Sequence, residues 1–180
     1  MPPGILAAIG PLASARLALR PFTGADALAL HAMTDDPSIT GAVHFLPTPF
    51  APHDALALIE GDGSGRDCFW GVWNRESGLL VGTFGTHLKG ADEIEIGYWF
   101  APGARGRGYA LEAGQTLIAA LRAALPARGV MAECRPANQA SWRLLEKLGL
   151  RADGRAGDRA GRLRLSLAAG ATPAGIAATP

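Results

Sequence analysis

The stretch Glu93-Ile-Glu-Ile-Gly-Tyr-Trp-Phe-Ala-Pro-Gly-Ala-Arg-Gly-Arg-Gly-Tyr-Ala110 decides the fold. Its first eight residues are rich in aromatic and β-branched types and predict a strand over 93–100, with Glu93, Glu95, Gly97 and Trp99 on one face. Its last six lead into a 3.6-residue pattern from Gly108 to Leu125, where Leu111, Ile118, Leu121 and Leu125 form one stripe and Pro126 and Gly129 end it. Glycines at such a strand-to-helix turn let the backbone approach a ligand closely. The first amides of a helix, at the positive end of its dipole, bind phosphate oxygens without any lysine. Arg105-Gly-Arg-Gly-Tyr-Ala110 is therefore a candidate anion site.

Downstream, the pattern predicts a strand over 129–135, a helix opened by Asn138 and striped by Leu144, Leu145 and Leu148, and a closing strand at 163–167. Strand, helix, strand makes 93–100 and 129–135 a parallel pair. Upstream, strands at 68–74 and 79–88 are joined by the hairpin signal Arg75-Glu-Ser-Gly78, and Lys89-Gly-Ala-Asp92 turns the chain into 93–100. Before these come a strand at 16–22, a capping box of Thr23 and Asp26 ahead of a helix, and a Pro-rich passage. A second helix follows, opened by Pro52 and closed near Gly61. The expected architecture is a mixed sheet with helices on both faces, α/β or α+β by class.

The 180 residues suffice for one domain, expected over 16–167. Residues 1–15 end in an Ala-Ser-Ala like a signal-peptidase site, but no Lys or Arg precedes Arg16 and Gly and Pro break the apolar run; they read as a flexible extension or as the product of an early start codon. Residues 168–180, an Ala/Gly/Thr/Pro tail, read as disordered. A net charge of +1, with 15 Arg against 2 Lys, excludes a polyanion binder held by bulk charge, so no nucleic-acid partner is expected and any anion site is local. No run approaches the roughly 18 apolar residues that cross a bilayer, so no membrane partner is expected either. Two cysteines and four scattered histidines offer neither a disulfide framework nor a metal-ligand spacing; a cytoplasmic, metal-free protein is expected.

The loop is not a dinucleotide fingerprint: GxGxxG is incomplete, and Cys134, Arg135 and Pro136 stand where an acidic residue would end the next strand. Nor is it a Walker loop, since Gly-Lys-Ser/Thr is missing. Instead, Arg105-x-x-Gly108-x-Ala110 resembles the pyrophosphate loop of the GCN5-related N-acetyltransferases. EIGYWFAP (95–102) and ANQASWRLLEKLGL (137–150) resemble the branch containing the ribosomal-protein alanine N-acetyltransferases. The resemblance spans about 16–167. It implies a mostly antiparallel sheet whose one parallel pair splays, with acetyl-coenzyme A in the cleft and no metal. Its pyrophosphate would rest on amides of Arg105, Gly106, Arg107, Gly108 and Ala110, its pantetheine would pair with backbone near Phe100, and Asn138 would contact it by side chain.

Acetyl transfer to an amine needs a neutral nitrogen, a polarised thioester carbonyl and stabilisation of the leaving thiolate. By resemblance, Glu95 stands where a general base lies in histone-acetylating relatives, and Glu93, on the same strand face, is the alternative, through water. Many relatives carry a tyrosine acid at the place of Leu145; with leucine there, Ser141 is the remaining donor. Cys134 reads as a buried strand thiol rather than a ping-pong nucleophile. The expected acceptor is a primary amine, a protein N-terminus first and a small molecule such as an antibiotic or polyamine second. A non-catalytic acyl-coenzyme A sensor is the alternative of another class. The expected assembly is a monomer or homodimer.

Overall fold

The computed structural model describes residues 4–170. Eight strands form one sheet: β1 Leu12–Ala13, β2 Leu17–Pro21, β3 Asp67–Asn74, β4 Leu80–Lys89, β5 Glu93–Phe100, β6 Gly129–Cys134, β7 Arg151–Ala156 and β8 Leu163–Leu167. Their order is β1-β2-β3-β4-β5-β6-β8-β7, antiparallel throughout except for β5 and β6. The parallel pair keeps register only at Glu93↔Gly129, Ile94↔Val130 and Glu95↔Met131. Beyond Glu95 the two strands part, and this is the expected splayed pair.

Alternation along β5 divides the molecule into two cores. Ile94, Ile96 and Phe100 join Leu17, Trp70, Phe84, Val130 and Leu165 beneath α4 (Tyr109–Ala124) and α5 (Gln139–Lys147). Trp99, on the opposite face, joins Leu30, Met33, Ile39 and Ala55 beneath α1 (Ala27–Thr34), α2 (Pro37–Thr40) and α3 (Pro52–Glu60). The buried line of α4 is Ala113, Gly114, Leu117, Ile118 and Leu121, while Leu111 and Leu125 are half-buried. The stripe expected from the large residues is thus displaced toward the small ones. A Cβ at Gly114 would stand 2.8 Å from Leu148, so glycine there lets α4 approach the end of α5.

The first fifteen residues, expected as a flexible extension, pack against the sheet from Leu6 onward. Leu6 is fully buried, Leu12↔Leu19 and Ala13↔Ala18 extend the sheet, and Ile9 and Leu12 pack on the first core. Two further elements lie where no strand or helix is expected: α2, capped by Asp36 with Pro37 in its first turn, and the wholly exposed edge strand β7. The tail expected from residue 168 falls, past Gly170, outside the described residues.

Candidate active site

The loop from Arg105 to Ala110 joins β5 to α4. Gly106 and Gly108 both adopt left-handed backbone, with φ of 73° and 77°, and Gly108 is the N-cap of α4. Glycine has no Cβ to clash in that conformation, and alternating backbone hand turns successive amides toward a common centre. Among the described residues, the amides of Gly106, Arg107, Gly108, Tyr109 and Ala110 meet no hydrogen-bond acceptor. A concave set of free donors at a helix N-terminus suits a pyrophosphate.

Arg105 is turned away from that centre: its Nε donates to the Phe100 carbonyl at 3.1 Å and its Nη2 to Ser38 Oγ at 3.0 Å. The Phe100 carbonyl is thereby engaged within the chain, and its ring is buried against Phe84. Arg16, not anticipated from sequence, stands beside the loop instead. Its Nη1 donates to the Arg107 carbonyl at 3.0 Å, and its guanidinium lies over the Tyr109 ring. It also holds Glu112 (Nε to Oε2, 2.7 Å) with help from Ser14. The one carboxylate in the first turn of α4 is thus neutralised where it would otherwise repel an anion.

Glu95 lies on the α1–α3 side of β5 and is 5 % exposed. Arg159, from the β7–β8 turn, reaches it with Nη1 2.5 Å from Oε1, and Lys89 Nζ is 3.3 Å from Oε2. Burial pushes the Glu95 carboxyl up, but the Arg159 guanidinium and the Lys89 ammonium outweigh it and hold the group below its usual 4.5. The same Arg159 nitrogen is 3.0 Å from Glu133 Oε2, while Glu133 Oε1 accepts from the Asp158 amide at 2.6 Å. Glu133 therefore anchors the turn that carries Arg159. His44 Nε2 accepts from Arg159 Nε at 3.2 Å. Glu93 is engaged by Arg164, which also binds Asp153. It lines a cavity of about 730 Å³ with Lys89, Met131, Glu133 and Asp158, at the end of the sheet where β5 and β6 are still paired.

Ser141 is the third residue of α5, in its first turn. Its amide donates to Asn138 Oδ1 at 3.2 Å, so Asn138 caps the helix. Ser141 Oγ lies 2.7 Å from the Tyr98 hydroxyl, a partner that sequence reasoning missed. Burial pushes the Tyr98 phenol up to about 12, against the opposing effect of the Ser141 hydrogen bond. Leu145, where a tyrosine would stand, is buried in the first core. Cys134 is buried, and its thiol donates to the Arg135 carbonyl at 3.4 Å. Glu95 and Ser141 do not touch. They belong to opposite faces of the sheet, at the end where β5 parts from β6.

Neither Arg159 nor Tyr98 carries a local signal. Arg159 stands in a Gly/Asp/Arg turn without spacing to Glu95, and Tyr98 reads as one more aromatic strand residue. Among the described residues, no helix is long and apolar enough to cross a membrane.

Residues 16–151 match the family model of the acetyltransferase (GNAT) domain. An uncharacterized N-acetyltransferase of Bacillus subtilis (strain 168), YnaD, is 28% identical over 146 residues, covering 77% of this chain and 81% of its own. An acetyltransferase of the GNAT family from Bacillus anthracis superposes with a TM-score of 0.75 at 23% identity, over 88% of this chain and 98% of its own. RimL, a ribosomal L7/L12 α-N-protein acetyltransferase solved with coenzyme A, gives a TM-score of 0.77 at 16% identity, over 88% and 97%. At those identities the two structures share the fold.

Proposed function

The chain belongs to the GNAT acetyltransferase family, and from that premise we propose that it moves an acetyl group from acetyl-coenzyme A to the α-amine of a protein N-terminus, by direct transfer in a ternary complex. The observation that carries the choice of acceptor is the state of Glu95, a buried carboxylate held below its usual pKa by two cations. A carboxylate so held is a weak base. An α-amine of pKa about 7.8 is already roughly one-seventh neutral at pH 7, whereas a lysine amine near 10.4 is neutral about four times in ten thousand. A weak base, or a water relayed to it, suits the first and not the second. The likeness to RimL, which acts on an α-amine, supports the same reading.

The polyamine alternative loses ground on the same geometry. Glu93 is taken by Arg164 and Glu95 by Arg159 and Lys89, so neither carboxylate is free to receive a polycation.

In the proposed reaction, the free amides of 106–110, with Arg16 alongside, hold the pyrophosphate. Acetyl-coenzyme A supplies the activated thioester. Glu95 faces the incoming amine from the α1–α3 side and takes its proton, directly or through water. Ser141 hydrogen-bonds the leaving sulfur from the α5 side. A thiol of pKa near 8.5 leaves as its anion with that support alone, which is why leucine at 145 is compatible with turnover.

The reading is tested by thiol release from acetyl-coenzyme A with three acceptor sets: peptides with free α-amines, the same peptides Nα-blocked with an internal lysine, and small amines. Release with the free α-amine peptides alone is the expected result. Equal release with the blocked lysine peptides would overturn the choice of acceptor. Coenzyme binding without release under any acceptor would replace the enzyme by a sensor.

A further inference from the structure

The leaving-group role given to Ser141 leaves open what aims its hydroxyl, and the inference below rests on that role. We propose that Tyr98 is the positioning residue for Ser141: its phenol donates to Oγ and so turns the serine hydrogen toward the sulfur of the breaking thioester.

The two oxygens are 2.7 Å apart, and they come from opposite sides of the parting, Tyr98 from β5 and Ser141 from α5. In that pair either oxygen has the geometry to donate. A phenol is the stronger donor and an alkyl hydroxyl the stronger acceptor, so the tyrosine's hydrogen goes to Oγ at 2.7 Å in preference to the Ser141 carbonyl, which it reaches only at 3.4 Å. Burial keeps the phenol protonated throughout the neutral range. Once Oγ has accepted from Tyr98, the serine's own hydrogen needs another acceptor. The Ser141 amide is already committed to Asn138, which fixes the first turn of α5 and with it the position of Oγ. The Tyr98 ring is held against Phe84, with centroids 5.2 Å apart, so the hydroxyl is delivered from a rigid platform.

The chemistry balances without a proton leaving either hydroxyl. The amine nitrogen bonds to the acetyl carbon, the carbon–sulfur bond breaks, and its electron pair settles on sulfur. Sulfur receives a hydrogen bond from Ser141, which is itself polarised by Tyr98. The amine's proton passes to Glu95 or to water. Tyr98 thus acts through Ser141 and does not itself act as the acid. A tyrosine hydroxyl still serves the leaving group, but from the strand rather than from position 145 of the helix.

The test compares Y98F, S141A and the double variant with the full-length protein, measuring kcat, KM and the dissociation constant of coenzyme A by calorimetry. Phenylalanine keeps the packing on Phe84. Y98F is expected to lower kcat about tenfold, with KM and coenzyme affinity unchanged within about twofold. The double variant is expected to be no slower than S141A. Wild-type kcat in Y98F beside a slow S141A would overturn the proposal alone, as would losses that multiply in the double variant. A loss of coenzyme affinity in step with kcat would overturn it too, since that marks a structural role. A fully active S141A would remove the role of Ser141 and the proposal together.

Discussion

Arg159 Nη1 lies 2.5 Å from Glu95 Oε1 and 3.0 Å from Glu133 Oε2, so one guanidinium ties β5 to β6 at the point where their pairing ends. The site carboxylate is therefore set by a residue from a distant turn, and its behaviour is open to measurement through that residue.

Replacing Arg159 by Gln removes the larger of the two cationic influences on Glu95 and leaves burial, the largest single effect, opposed by Lys89 alone. The acid limb of the kcat/KM profile is expected to move to higher pH. Stability at pH 7 is expected to fall by about 1–3 kcal/mol, because a nearly buried carboxylate loses its main partner. A group whose folded pKa is depressed contributes stability above its unfolded value and loses it as pH falls through the folded one. The difference between wild type and R159Q is therefore expected to shrink as pH drops below the usual 4.5 of Glu95. Denaturant titrations across pH check the sign, and an unmoved acid limb would remove Glu95 from the rate-determining chemistry.

Gly108→Val places a β-branched side chain at φ 77°, beside Arg16 Nη2, which stands 3.4 Å from where a Cβ would lie. Coenzyme A affinity is expected to fall by at least about tenfold as the amide cradle distorts, with about 1–2 kcal/mol of stability lost to backbone strain. Calorimetric binding beside a thermal melt separates the two effects. Unchanged affinity would refute the loop as the anion site.

Asp26 offers a pH test remote from the site. Its carboxyl is lowered from 3.8 to about 2, chiefly by the bidentate Arg20 guanidinium at 2.7 and 2.8 Å, with burial opposing and the Thr23 amide assisting. The stability this contributes is present above pH 3.8 and is lost as pH falls toward 2. Arg20 is 41% exposed, so solvent screening reduces the contribution to about 1–2 kcal/mol. Asp26→Asn is expected to lower the melting temperature at pH 7 and to have a much smaller effect near pH 2, where the native carboxyl is about half protonated. An equal loss at both would mean the helix cap, not the charge, carries the effect.

Leu6→Ala is expected to cost about 2–4 kcal/mol, the range for truncating a fully buried leucine. A flexible extension predicts no change. Chemical denaturation distinguishes the two, and the result also says whether a protein started at residue 16 keeps its stability.

The strand at 93–100 was legible to the residue because the alternating Glu93-Ile-Glu-Ile96 runs on into an aromatic stretch bounded by the turn at 89–92 and by Pro102, and the glycines of the cradle were legible from their place between that strand and a long helix. The strand Leu12–Ala13 is too short to show any period, and β7, exposed at every position, has no apolar face to betray it. The stripe of α4 misled in another way. Its large residues catch the eye, whereas Ala113 and Gly114 carry the closest packing. At the site, Glu95 and Ser141 stood within motifs, but what governs them did not. Arg159 is 64 positions from Glu95, and Tyr98 is 43 from Ser141. Such pairs are made by the topology of the sheet, and no local spacing encodes them.

Two half-sheets meet along β5 and β6 at just three residue pairs. This seam is stapled on both sides: Glu95–Arg159 crosses it on one face and Tyr98–Ser141 on the other. Bending the halves one way stretches the ionic staple, and bending them the other way stretches the hydroxyl staple. Salt reaches neither freely, because Glu95 is 5 % exposed and a nearly buried ion pair is screened only weakly. The two staples are thus of different chemistry, one ionic and one neutral, and they hold the seam from opposite faces.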